Sequence, residues 1–180
     1  FMVAEQNIML RGNNMRKRYK YINILLSRHF DRVSQMLYHL TGRGYTHASI
    51  GLQEDKNTYY SFNGKGFRIE KPARWKKKDS RVQKTIYKIK VEEQEYKKLK
   101  EYIKSVKDNQ ERYKYSPFGV VMCVLRIPFK IKNRYFCSQF VAEALKESGI
   151  LNTKKPASLF LPNSFRDSLD SLNVKHVCNT

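Results

Sequence analysis

The sequence predicts a single α+β domain. Three observations carry that prediction. Residues 20–62 show a strand, a short helix and a hairpin in succession. Residues 84–91 alternate as a strand does, and residues 92–109 and 136–148 place apolar side chains at helical spacing. No repeat, linker or low-complexity block divides the 180 residues, and a chain of that length buries a real core in one domain.

Each element follows from its local pattern. Residues 20–26 (Lys-Tyr-Ile-Asn-Ile-Leu-Leu) are rich in β-branched and aromatic side chains and read as a strand. Val33, Met36, Leu37 and Leu40 recur at helical spacing, and Thr41-Gly42 ends that segment. A short strand over 45–52 turns through the polar stretch 53–57 into a returning strand at 58–62, and 67–70 follows two loosening glycines, Gly64 and Gly66. In 84–91, Ile86, Ile89 and Val91 are set against lysines, with Tyr87 between them. Tyr96, Leu99, Ile103 and Val106 form one stripe of the 92–109 helix, opposite lysines that a solvated face accounts for. Residues 116–129 are apolar and bounded by prolines, and their pattern fits helix or strand equally. Residues 136–148 are the strongest helix, closed by Gly149. Pro162-Asn163-Ser164-Phe165 starts another, and 173–178 reads as a last strand.

Composition narrows the class. Hydrophobic residues make up 41% of the chain, which excludes a wholly disordered polymer. Against 16 acidic residues stand 36 Lys and Arg, a formal charge of +20. Such a surplus suits anionic partners: nucleic acid, an anionic membrane, or an anionic wall polymer. The basic residues are spread along the chain, with runs at 16–18, 76–78 and 97–100, so a solvated surface explains them as well. Cys123, Cys137 and Cys178 form no C-x-x-C pair and no even-numbered framework, which points to free thiols. No apolar run reaches the ~18–20 residues of a membrane span. Residues 1–14 lack the plan of a signal peptide, so the cytoplasm is the default compartment and the cell envelope the alternative. The domain is expected over 16–180, after an extension over 1–15 that is either vector-derived or the remnant of a longer chain, with Met15 as a natural start.

One constellation carries chemistry. Arg134-Tyr135-Phe136-Cys137-Ser138-Gln139-Phe140-Val141 puts Cys137 in the first turn of a helix. Unpaired N–H groups and the positive end of the macrodipole favour a thiolate there, and a neighbouring imidazole lowers a thiol pKa further, from ~8.5 toward ~3–7. Phe140, Val141, Ala144 and Ser148 share the face of Cys137, so the sulfur looks toward the sheet. His47 is its best partner, at the start of a strand whose Ala48, Ile50 and Leu52 read as interior, with Gly44 and Thr46 leaving room nearby. A Cys–His site needs a third polar group to orient the imidazole. If the hairpin turns near Asp55, Asn63 falls opposite His47, which makes it the first choice, with Ser61 and Glu70 as alternatives. Tyr45, Ser138 and Gln139 flank the two reactive groups and are candidates for substrate contact. The helix-start N–H would receive an oxyanion.

Plainer readings exist for each residue. A cysteine on the inner face of a helix is more often a packing residue, and Cys123 and Cys178 take that reading. His29, His39 and His176 read as structural, and none pairs at metal-ligand spacing.

Five blocks taken together raise the enzymatic reading. They are Tyr45-Thr46-His47-Ala48-Ser49-Ile50-Gly51-Leu52, Tyr60-Ser61-Phe62, Gly66-Phe67-x-x-Glu70, Phe136-Cys137-Ser138-Gln139-Phe140-Val141 and Pro162-Asn163-Ser164-Phe165. In that order they resemble the circularly permuted branch of the bacterial NlpC-like, papain-fold cysteine hydrolases, related to the lecithin:retinol acyltransferase-like enzymes. The resemblance runs from about Tyr21 to Phe165, and its most specific piece is the T-H-x-S strand followed by the F-C-S-x-F-V helix. It implies a papain-like fold, a small antiparallel sheet packed against the nucleophile helix. It also implies Cys137 as nucleophile, His47 as base, and thiol-based hydrolysis or acyl transfer at an amide or ester without a cofactor or metal. The third residue varies in that family. Its substrates range from wall peptides to lipid-linked amides and esters.

Two rival readings rest on charge. Tyr19, Tyr21, Tyr113 and Tyr115 among lysines and arginines suit nucleic acid, but no helix-turn-helix, RNP or zinc pattern accompanies them. A basic face docking on anionic lipid is the other, and it is compatible with the same catalytic pair.

Overall fold

The computed structural model describes residues 18–30, 32–42, 44–74, 83–170 and 175–179. The 1–15 extension, the basic run at 76–78 and all of the 16–18 run but Arg18 lie outside these residues, and of His176 and Cys178 only the backbone is described.

The domain is α+β. Strands β1 (Tyr19–Arg28), β2 (His47–Leu52), β3 (Tyr59–Asn63), β4 (Gly66–Glu70), β5 (Gln83–Glu92) and β8 (Lys175–Asn179) form a sheet in the order β4-β3-β2-β1-β5-β8. Every pairing in it is antiparallel. A second, two-stranded ladder joins β6 (Lys114–Tyr115) and β7 (Arg134–Tyr135) in parallel. The helices are α1 (Arg32–Leu40), α2 (Glu93–Asp108), α3 (Pro117–Val124), α4 (Cys137–Glu147) and α5 (Pro162–Asp170). Among the described residues no helix is long and apolar enough to cross a membrane.

Alternation decides which face of the sheet is inside. Ile22, Ile24 and Leu26 of β1, Ala48, Ile50 and Leu52 of β2, Tyr60 and Phe62 of β3, and Phe67 of β4 all belong to one buried cluster. Helix α2 brings its predicted stripe of Tyr96, Leu99, Ile103 and Val106 to that cluster, and α4 brings Phe140, Val141, Ala144 and Leu145. The Phe62 and Phe140 rings lie 5.1 Å apart, which ties the site helix to β3. On its other flank α4 buries Glu143, whose Oε1 accepts from Tyr135 Oη at 2.9 Å and Lys130 Nζ at 2.8 Å. Gly149, at φ +84°, ends α4 in the left-handed region where a side chain is strained. Helix α4 is thus anchored on both sides.

Several expectations are refined. In β5 the inward set is Thr85, Tyr87, Ile89 and Val91, so Tyr87 rather than Ile86 shares the inner face with Ile89. Of the stripe expected in α1, Leu37 is buried, whereas Met36 and Leu40 are exposed. The undecided stretch 116–129 contains helix α3, with Pro117 at its first position and the Ser116 hydroxyl accepting from the Gly119 N–H at 3.2 Å. The β6–β7 ladder was not expected from the sequence, because two residues per strand are too few to show an alternation.

Candidate active site

Cys137 opens α4. Phe136 occupies the N-cap in an extended conformation and its side chain makes no capping bond, so the first turn of α4 is uncapped among the described residues. His47 opens β2, and its imidazole lines the same cleft as the Cys137 sulfur, near enough that each group shifts the other's protonation. On its other side the ring meets a carboxylate: Nε2 of His47 lies 2.8 Å from Oε1 of Glu70, at the end of β4. Both side chains are largely buried, with 12% and 14% of their surface exposed. Three separate elements thus bring sulfur, imidazole and carboxylate into one cleft, with the imidazole and carboxylate hydrogen-bonded.

Electrostatics follow from that chain. Burial works against a charged Cys137, but the hydrogen bond and charge of His47 outweigh it, and the N–H groups of Ala48 and Ser138 add to the effect, so the thiol pKa is lowered. Burial likewise opposes a charged His47. The charge of Glu70 and the hydrogen bonds to Cys137 and Glu70 prevail and hold its pKa well above the usual value. Glu70 is held below the usual carboxylate range because His47, with smaller help from His29 and the Ser49 hydroxyl, overcomes its burial. Both shifts favour the charged forms, so the surroundings bias the pair toward thiolate and imidazolium, with the Glu70 carboxylate beside the ring. Cys123 shows the contrast: burial pushes its thiol up to about 11, the state of a packing cysteine.

A cleft of about 510 Å³ opens on this group, lined by Cys137, His47, Glu70 and His29, with Phe62, Leu37 and Tyr115 as apolar wall and Lys65 and Arg68 as cationic wall. Lys65 and Arg68 are exposed.

The structure sorts the residues singled out from the sequence. It brings Cys137 and His47 together with Glu70, the reserve choice for the orienting group. Asn63 does not serve His47. The β2–β3 pairing Ile50↔Tyr60 is the register that sets Asn63 opposite His47, but Asn63 ends its strand, is exposed, and its Oδ1 accepts from the Lys65 N–H of the following turn at 2.9 Å. Ser61 is committed elsewhere, donating to the Ala48 carbonyl at 2.6 Å. The three substrate-contact candidates also stand apart from the cleft. Ser138 and Gln139 are buried inside the domain, at 0% and 1% exposure, because the helix they belong to is covered on nearly every side. Tyr45 is bound through its hydroxyl to Thr85 and through its N–H to Asn163 Oδ1 at 2.8 Å.

Two functional neighbours were missed. His29 lies with its ring 5.3 Å from that of His47, edge to face, and its Nε2 is 3.0 Å from Ser27 Oγ. Its position just past the end of β1, beside the strand that starts at His47, is the only sequence signal it had. Asn163 fills the room that Gly44 leaves: a Cβ on Gly44 would sit 2.4 Å from Asn163 Oδ1. The asparagine of Pro162-Asn163-Ser164-Phe165 thereby ties α5 to the two residues that lead into Thr46 and His47.

Comparison with known proteins adds no relative: no protein-family model matches this sequence, and no curated protein matches it.

Proposed function

We propose that this domain is a cysteine hydrolase of the permuted NlpC-like, papain-fold type, acting on an amide or ester through an acyl-enzyme. The observation that carries the reading is the chain Cys137–His47–Glu70, in which a first-turn thiol with a lowered pKa faces an imidazole backed by a carboxylate within one cleft. The antiparallel sheet packed on the nucleophile helix supports the fold part of the reading.

In this mechanism the Cys137 thiolate adds to the substrate carbonyl carbon. The oxyanion so formed is met by backbone N–H groups at the uncapped start of α4. The His47 imidazolium gives its proton to the departing amine or alcohol as the carbon–heteroatom bond breaks, leaving a thioester. Neutral His47 then takes a proton from water, which attacks the thioester and returns the thiolate. Glu70 fixes the ring and stabilises its charged form throughout. Lys65 and Arg68, on the wall of the same cleft, favour a substrate with an anionic group near the scissile carbonyl, such as a wall-peptide carboxylate or a lipid phosphate.

The test is intact-mass analysis after incubation with a panel of activated acyl esters and peptide amides. One acyl adduct, mapped to Cys137 and absent from Cys137→Ala, is the expected result. An adduct of equal yield on the Cys137→Ala protein would remove Cys137 from the role.

A further inference from the structure

Helix α3 breaks the rule for a surface helix. Residues Pro117–Val124 include no charged side chain, and the helix is apolar on both faces. Its inner face, Gly119, Val120 and Cys123, is buried, and Val120 and Cys123 pack with Phe136 and Leu37. Among the described residues nothing covers its outer face. Phe118, Val121 and Leu125, spaced at i, i+3 and i+7, are 54%, 48% and 60% exposed, and Ile127 just beyond is 45% exposed. Phe129 extends this surface by setting its ring 5.1 Å from that of Phe118, edge to face. A helix that is apolar all round is at home in a core or against lipid, and a contiguous exposed apolar patch marks an interaction surface.

The charge around the patch selects what it meets. Between Glu111 and Glu143 the sequence has no acidic residue at all, while Arg126, Lys132 and Arg134 are exposed there and Lys130 pairs with Glu143 at 2.8 Å. Arg126 sits in the turn that closes α3, where the N–H groups of Arg126 and Ile127 bond to the carbonyls of Cys123 and Met122 at 3.0 and 2.9 Å. That position has φ +60°, a conformation that favours glycine, yet it holds an arginine between two exposed apolar residues. Apolar side chains bordered by long cations that can reach past them match a lipid interface with anionic headgroups, and the +20 charge of the chain draws it to the same surface.

We propose that α3 and the segment through Lys132 form a docking surface for an anionic lipid bilayer. Phe118, Val121, Leu125 and Ile127 enter the headgroup boundary, and Arg126 and Lys132 contact lipid phosphates. Because Phe136, against which α3 packs, immediately precedes Cys137, docking there holds the start of α4 near the bilayer. The surface stands independently of the hydrolase reading.

Co-sedimentation of the full chain with vesicles tests it, using phosphatidylcholine alone and phosphatidylcholine mixed with phosphatidylglycerol. The wild type is expected to bind the mixed vesicles and to release only in part at high salt. Val121→Ser/Leu125→Ser should lower the bound fraction several-fold at every salt concentration, and Arg126→Gln/Lys132→Gln should flatten the salt dependence. Leu125→Ser alone, at the most exposed of these positions, keeps the test available if the double variant fails to fold. Cys137→Ala should bind as the wild type does, which separates this inference from the catalytic one. No binding to the mixed vesicles, or equal binding by the serine variants, overturns it. So does a dimer in light scattering that the same serine substitutions abolish, since a second copy would then be what covers the face.

Discussion

The Nε2 of His47 and the Oε1 of Glu70 lie 2.8 Å apart, joining the first residue of β2 to the last of β4. This contact makes Glu70 the group that sets the charge state of the imidazole. Its carboxylate favours imidazolium, so replacing it with a neutral amide lowers the His47 pKa. In the pH–rate profile, the alkaline limb reports loss of that imidazolium proton. Glu70→Gln should therefore move the alkaline limb to lower pH, whereas Asn63→Ala should leave it in place.

The two described thiols should differ sharply in reactivity. Cys137 is held toward the thiolate by His47 and two backbone N–H groups, while burial keeps Cys123 protonated with a pKa of about 11. Limited treatment with iodoacetamide at neutral pH, followed by peptide mapping, should place the first equivalent on Cys137 and leave Cys123 unmodified.

Lys65 and Arg68 should make the cleft selective for anionic reagents. The ratio of alkylation rates, iodoacetate over iodoacetamide, isolates this preference because the two reagents differ chiefly in charge. Lys65→Gln/Arg68→Gln should lower the ratio roughly three- to tenfold at low salt, leaving the iodoacetamide rate nearly unchanged. An unchanged ratio would assign these cations to the surface alone.

Asn163 should matter for stability as well as for site geometry. Removing its carbonyl in Asn163→Ala leaves the Tyr45 N–H without its 2.8 Å partner, at a cost of about 1–2 kcal/mol. Gly44→Ala should destabilise through the same contact, because its new Cβ, 2.4 Å from Asn163 Oδ1, would displace that side chain from the Tyr45 N–H. Urea midpoints of the two variants measure both effects.

Much of this architecture was legible in the residues. The stripe of Tyr96, Leu99, Ile103 and Val106, and the inward Phe140, Val141 and Ala144 behind Cys137, are periodic signals long enough to survive any tertiary context. The choice of orienting residue was not legible. Strand register places Asn63 opposite His47, but whether a side chain at a strand end turns inward or serves its own turn depends on local hydrogen bonding, and Asn63 serves Lys65. Nor does β-strand alternation tell how far a carboxylate on β4 reaches across a twisted sheet. Helix α3 was undecidable for a different reason: apolar residues on both its faces erase the period, and that same feature exposes Phe118 and Leu125. Ser138 and Gln139 were misread as cleft residues because sequence adjacency to a nucleophile says nothing of which side of the helix is covered.

The proposed thiolate–imidazolium pairing of Cys137 with His47 is most directly tested by the pH dependence of Cys137 alkylation in the wild type and in His47→Gln. The wild-type profile should show a thiolate midpoint below that of an ordinary thiol, and the substitution should shift the midpoint to higher pH. Superimposable profiles for the two proteins would contradict the account.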